Sequence, residues 1–310
     1  KLPASRVFTG IGQAFLNTQI TNAQECVQIA FKSSPFGTQS HGYEANNAFL
    51  LWAYGKRLLI RSGRRDSYGS DHHRNWMWST RSVNSITVNG QGQKRRSAAA
   101  LGEILSFKTT PDIDVVVGEA GQAYETPLTR FTRAVIFVKP ELRIIFDRLC
   151  APEPATYDYW LHALHKMEIQ DQHHITVRND EVLCDINFLS PEGLIFAQTD
   201  QYDPNPRERI KLREWHLAAS PPAKHKDMEF VTLYRIHRQT QAVPHGASLK
   251  QIPGGYVLNA KISDGQVTAL LPSDESSTLR HANLETTGRI LVQLHRENQP
   301  EQTLTPGRKL

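Results

Sequence analysis

What most constrains the fold of this chain is a long succession of short β-branched and aromatic runs divided by turn residues. "ECVQIAFK" (25–32), "AFLLWAY" (48–54), "SITVN" (85–89), "DVVVG" (114–118), "RAVIFVK" (133–139) and "LRIIFD" (142–147) read as strands. So do "HITVR" (174–178), "VLCDINF" (182–188), "FVTLYRIHR" (230–238), "YVLNAKI" (256–262), "VTALL" (267–271) and "RILVQLH" (289–295). Pro140-Glu141, Asn179-Asp180 and Asp264-Gly265 read as hairpin turns between such runs, and Asn89-Gly90 closes another strand. Helical spacing is brief, around 97–105 only. So many strands in sequence predict an all-β fold, a large antiparallel β-sandwich with sheets packed face to face. The Pro- and Lys-rich "SPPAKHKD" (220–227) reads as a long loop. A boundary after Arg238 divides a sandwich domain (1–238) from a small C-terminal β-subdomain (239–310). No internal repeat is visible.

At 310 residues the chain can build one large core or two modest ones. Its apolar stretches are too short for a membrane-spanning helix. Lys1-Leu2-Pro3 opens directly in what reads as folded sequence, without signal-peptide character, which suggests a processed protein or a fragment. Cys26, Cys150 and Cys184 lie far apart and signal neither a zinc knuckle nor a disulfide framework. The net charge of +5 favours an anionic partner. Nucleic acid and acidic polysaccharide both satisfy that charge, but no nucleic-acid-binding module is recognisable.

Two segments carry candidate chemistry. His41 and Tyr43 stand two apart, so on extended backbone they leave on one face with Gly42 opposite. A hydrogen-bonded pair at a strand start is the structural alternative. The polar, aromatic stretch 67–93 holds His72, His73, Trp76 and Trp78 and has the length of a functional loop. Its indoles could stack on sugar rings; alternatively one tryptophan is core and both histidines are exposed. Adjacent histidines on extended chain point oppositely and make a poor joint metal site. His162 and His165 in "YDYWLHALH" (157–165) could line a cleft or serve the core. Arg64-Arg65 and Lys94-Arg95-Arg96 are basic clusters suited to a polyanion or to a solvated turn.

Here a resemblance enters. "SRVFTGIGQAFL" (5–16), "FKSSPFGTQSHGYEANNAFLLWAYGKRLLIRSG" (31–63), "YGSDHH" (68–73) and "VNSITVNGQGQ" (83–93) resemble the heparinase II/III family of polysaccharide lyases. The likeness is dense over positions 5 to 93 and fades to a strand pattern beyond. It is to the β-sandwich that follows the family's α/α-toroid, and no such helical domain stands in this sequence. The resemblance implies β-elimination on a uronate-containing acidic polysaccharide, by a secreted or periplasmic protein. A proton alpha to an ionised carboxylate becomes acidic only when donors or a cation offset that charge. A catalytically incomplete module that binds acidic polysaccharide is the alternative.

By the same resemblance, His41 takes the position of a cleft-facing histidine implicated in catalysis or carboxylate binding. Tyr43, Arg61 and Val83 stand where the family has a histidine, an aspartate and a histidine as metal ligands. The resemblance therefore implies that the family's metal site is lost and that no cofactor is held. Arg61 would then place a permanent cation where the metal sat, with the Tyr43 hydroxyl as its neighbour and a carboxylate such as Glu44 or Asp66 close by. Drift of a dispensable site, with Arg61 reaching solvent, is the alternative. Asn47 and Asn84 match family asparagines. The site expected is thus His41, Tyr43 and Arg61 as catalytic groups, with His72, His73, Trp76, Asn47, Asn84 and Arg64 on the substrate.

Overall fold

The computed structural model describes residues 2–39, 42–63, 66–211 and 214–307. The first five strands are β1 (Arg6–Phe8), β2 (Gln13–Asn17), β3 (Val27–Lys32), β4 (Ala48–Ala53) and β5 (Lys56–Leu59). A short helix α1 (Asp71–Asn75) precedes β6 (Ile86–Val88), β7 (Glu103–Thr109), β8 (Ile113–Glu119), β9 (Arg130–Val138), β10 (Leu142–Ala155) and β11 (Tyr157–Ala163). Then come β12 (Glu168–Ile169), β13 (His174–Asn179), β14 (Val182–Ser190), β15 (Ile195–Thr199), β16 (Trp215–Ser220) and β17 (His225–Arg238). The last group is β18 (Ala247–Ile252), β19 (Gly255–Ile262), β20 (Gly265–Pro272), β21 (Thr278–His281), β22 (Leu284–Thr287), β23 (Leu291–Arg296) and β24 (Gln302–Leu304).

Every strand pair is antiparallel, and a sheet of order β12-β13-β14-β17-β10-β9-β8-β7 forms the middle layer. This layering explains the continuous apolar run of β9. Val135 and Phe137 enter a core shared with the sheets β1–β5 and β15-β16-β11-β6. Ala134, Ile136 and Val138, on the opposite face, enter a second core with Leu258, Val267, Val292 and Leu294 of the sheet β18-β19-β20-β23-β24. A strand covered on both faces has no polar side to alternate with. The outer β3 does alternate: Val27, Ile29 and Phe31 are buried while Gln28, Ala30 and Lys32 are half-buried. The all-β sandwich expected from the strand pattern is the fold observed. The strands after Arg238 form the five-stranded sheet β18-β19-β20-β23-β24, which closes its core on the middle layer, and the separate pair β21-β22.

Two local expectations fail. Residues 97–102 are irregular and β7 occupies the rest of the segment that showed helical spacing, so 97–105 holds no helix. Positions 220–227 hold no long loop either, because β16 runs to Ser220 and β17 resumes at His225. The hairpin at Asn89-Gly90 has both residues in the left-handed region (φ 52° and 70°), as a two-residue primed turn requires. Among the described residues no helix is long and apolar enough to cross a membrane.

Candidate functional site

Segments 33–39 and 42–47 are tied to the sandwich by amide clasps as well as by the packing of Tyr43 and Ala45 on Val83. Gln93, in the "VNGQGQ" turn, accepts from the Asn46 backbone N–H (2.9 Å) and donates Nε2 to the Asn46 carbonyl (2.8 Å). The Asn46 side chain accepts from Ser34 N–H and donates to Ala100 O, both at 2.8 Å. Asn47 has a left-handed backbone (φ 55°), which asparagine tolerates, and its Nδ2 donates to Phe131 O (2.7 Å). Asn84 donates Nδ2 to Phe49 O and Ile60 O while its Oδ1 accepts from His162 N–H. Under these loops lies a fully buried ion pair. Arg133 meets Asp147 through Nε–Oδ1 (2.6 Å) and Nη2–Oδ2 (3.0 Å), and its Nη1 donates to Asn47 O and Asn84 O.

On this footing the site is a chain of stacked groups. The Arg61 guanidinium lies over the Tyr43 ring, Cζ 4.4 Å from its centroid. Tyr43 stacks on Trp78 at 4.6 Å, Trp78 meets His73 edge-on at 5.5 Å, and His73 meets Tyr68 at 4.9 Å. Tyr43 also packs on Ala45, Ala48 and Val83. Of the three positions to which the resemblance gives metal ligands, Arg61 and Val83 thus both meet Tyr43, as guanidinium and isopropyl on a phenol ring. A zinc-type site takes imidazole, thiolate or carboxylate, and these donors do not fit one. Among the described residues no group of three or more His, Cys, Asp or Glu could hold a metal ion.

Beside the stack lies a pocket of about 190 Å³ lined by Glu44, Tyr68, His73, Trp78, Arg95 and Arg96. Gln39 and Gly42 also line it. Tyr68 is 86% exposed at its mouth, whereas Glu44 is only 6% exposed. Glu44 Oε2 accepts from Thr80 N–H (3.3 Å). Burial pushes its carboxyl up to about 7, against the opposing pull of that hydrogen bond and of Arg95.

The geometry corrects several sequence expectations. Arg61 meets the ring of Tyr43 rather than its hydroxyl, and donates Nη1 to Met77 O (2.8 Å). The carboxylates expected beside it are engaged elsewhere: Asp66 pairs with Arg207, and Glu44 turns to Thr80. Trp76 is 3% exposed, donates Nε1 to Ser62 Oγ and packs edge-on against Tyr202, so it serves the core and offers no stacking face. His72 is buried with Nδ1 donating to Pro204 O. Asn47 and Asn84 are wholly buried and spend their amides on backbone, so neither reaches a substrate. His72 and His73 stand on α1, capped by Ser70, and not on extended chain. The helix turns one inward to Tyr202 and the other to the pocket. His162 is buried against His216, Nδ1 to Nδ1 at 3.1 Å, and burial lowers both, His216 to about 4. His165 is exposed. His41 and Arg64, with Arg65, lie outside the described residues.

The pocket's most unusual group, Glu44, is not singled out by sequence as a site residue. Its burial is created by Thr80 and Gly92, which are distant in the chain. Arg95 and Arg96 were visible as a basic cluster, but nothing in their spacing assigns them to this pocket.

With this geometry in view, residues 2–240 match the family model of the heparinase II/III-like C-terminal domain. The chain belongs to that family. The match runs well beyond the dense likeness at 5–93. Its fold is similar to that of heparan sulfate lyase HepC from Pedobacter heparinus (TM-score 0.69, 17% identity), over 87% of this chain and 42% of that one. It is also similar to the heparinase III BT4657 gene product (TM-score 0.70, 16% identity), over 100% of this chain and 43% of the other. A third solved structure, heparinase III, gives a TM-score of 0.63 at 14% identity over 99% and 42% of the two chains. This heparinase II/III-like chain thus spans less than half the length of these solved structures. The comparison with curated sequences found no match.

Proposed function

We propose that this chain is the β-sandwich part of a polysaccharide lyase that cleaves a uronate-containing acidic polysaccharide by β-elimination. The observation that carries the reading is the arrangement around the family-motif loop. Arg61, Arg95 and Arg96 bring permanent cations to one side of the sandwich, beside the exposed ring of Tyr68 and the stacked Tyr43. Cations there can offset a uronate carboxylate, which is the electrostatic precondition for removing the proton next to it. Glu44 adds a carboxyl that exchanges a proton near neutrality. His41 keeps the role that the resemblance gives it, and Tyr43 and Arg61 are the other two groups assigned to the reaction. Arg61 supplies the positive charge at the family's metal position without coordination chemistry.

The chain and a longer form carrying the toroid are to be incubated with heparin-like, alginate-like and ulvan-like glycans while the ultraviolet absorbance of the unsaturated uronate product is followed. Elimination by the longer form, abolished by His41→Ala with the fold intact, is the expected result. Binding without any absorbance rise in either form would favour the second reading, a binding module, which the altered metal donors support. Elemental analysis of the purified chain should find no stoichiometric zinc or manganese. A stoichiometric metal retained after dialysis would overturn the cation-replacement role of Arg61.

A further inference from the structure

The outer face of the sheet β1–β5 has a composition that the proposed cleavage does not use. None of these five strands contains an aspartate or a glutamate, and their outward side carries Arg6, Lys32 and Arg57; Lys56, across from the core residue Ala53, is paired with Asp180 instead. Register places the outward residues in transverse rows. One row is Gln28, Trp52 and Arg57, closed at its β2 end by buried Asn17. The next is Arg6, Phe15, Ala30 and Leu50. Trp52 is 47% exposed with Arg57, also exposed, directly across from it. The small Ala30 stands between Phe15 and Leu50 in the second row.

We propose that this face is a second binding surface for an acidic oligosaccharide, continuous with the Tyr43 side of the candidate site. Charge chooses the occupant: strands that present Arg6, Lys32 and Arg57 and hold no carboxylate of their own suit a polyanion. Trp52 gives a flat apolar platform on which a pyranose ring stacks, Gln28 offers an amide to hydroxyls, and Arg57 and Arg6 face carboxylate or sulfate groups. Lys32 links the two regions, since it lies on the same face and its Nζ donates to the Tyr43 carbonyl at 3.4 Å. Along β3 the distance from Gln28 to Lys32 is about 13 Å, room for roughly two sugar rings. The ligand class rests on the function proposed above, whereas the surface and its residues stand apart from the cleavage chemistry.

The test is calorimetric titration of the chain with short and long uronate oligosaccharides and with a neutral glucan of the longer length. The wild type should bind the long acidic ligand more tightly than the short one and leave the neutral glucan unbound. Trp52→Ala should weaken the long ligand about tenfold and leave the short one unchanged. Arg57→Gln should act in the same direction, and Trp52→Phe should restore part of the affinity. Because Trp52 and Arg57 are exposed, thermal unfolding of these variants should match the wild type. Unchanged affinity of Trp52→Ala for the long ligand would overturn the proposal. So would equal binding of the neutral glucan, or no binding of the long acidic ligand by the wild type. Product absorbance separates the two readings. Elimination by the longer form with no Trp52 effect removes this surface alone; Trp52-dependent binding without elimination removes the lyase reading alone.

Discussion

Asp147→Leu should destabilise the chain by about 3–5 kcal/mol, because it strands the Arg133 guanidinium in a site that excludes water. Both side chains are 0% exposed, and the pair is bidentate. The remaining guanidinium hydrogen bonds run to Asn47 O and Asn84 O, so the same charge anchors the two loops that frame the candidate site. A loss of that size is a large share of the roughly 5–15 kcal/mol that holds a typical native domain. The double variant Arg133→Met with Asp147→Leu removes the uncompensated charge and should recover part of the loss. It should not recover all of it, since the two asparagine carbonyls are left without their donor, at about 1–3 kcal/mol each. Urea unfolding followed by circular dichroism ranks the three proteins. A single variant within about 1 kcal/mol of wild type would show that the pair is not structurally required.

That pair also marks where sequence reading stopped. The strand β9 was legible because burial on two faces makes its apolar run continuous, but the same run concealed Arg133 at its start as an ordinary flanking charge. β7 is illegible because its buried Ser106 is polar while its half-buried Leu105 and Phe107 are apolar, and the alanines before it imitate helical spacing. The apolar pattern of β17 begins only at Phe230, because His225 to Glu229 are polar apart from buried Met228.

At the site, the motif aligns Tyr43, Arg61 and Val83, and in the fold Arg61 and Val83 each meet Tyr43. A motif marks a position and does not say which way its side chain faces. Asn47 and Asn84 accordingly matched the pattern while spending every donor on backbone. Trp76 and Trp78 are the same residue type two apart, yet one ends α1 in the core and the other stacks on Tyr43. Only tertiary packing distinguishes them.

Glu44 is the group whose behaviour is least visible from sequence and most open to measurement. Below about pH 4.5 its carboxyl is protonated in both folded and unfolded chains, so it contributes no difference between them. As pH rises the unfolded chain releases that proton first, while the folded chain holds it until about 7. Stability therefore falls across this interval and levels off above it, by a ceiling on the order of 3 kcal/mol. Glu44→Gln keeps an oxygen for Thr80 N–H and has no charge to desolvate. It should match the wild type at about pH 4 and exceed it at about pH 8 by up to that amount. Urea midpoints at several pH values test this, and a variant no more stable than wild type at the higher pH would show that Glu44 ionises without penalty. The same substitution has a second readout in any form of the protein that eliminates. If Glu44 exchanges a proton with the bound glycan, turnover should fall while affinity for the uronate ligand holds. If it only frames the pocket, turnover should be unchanged and the stability profile alone should move.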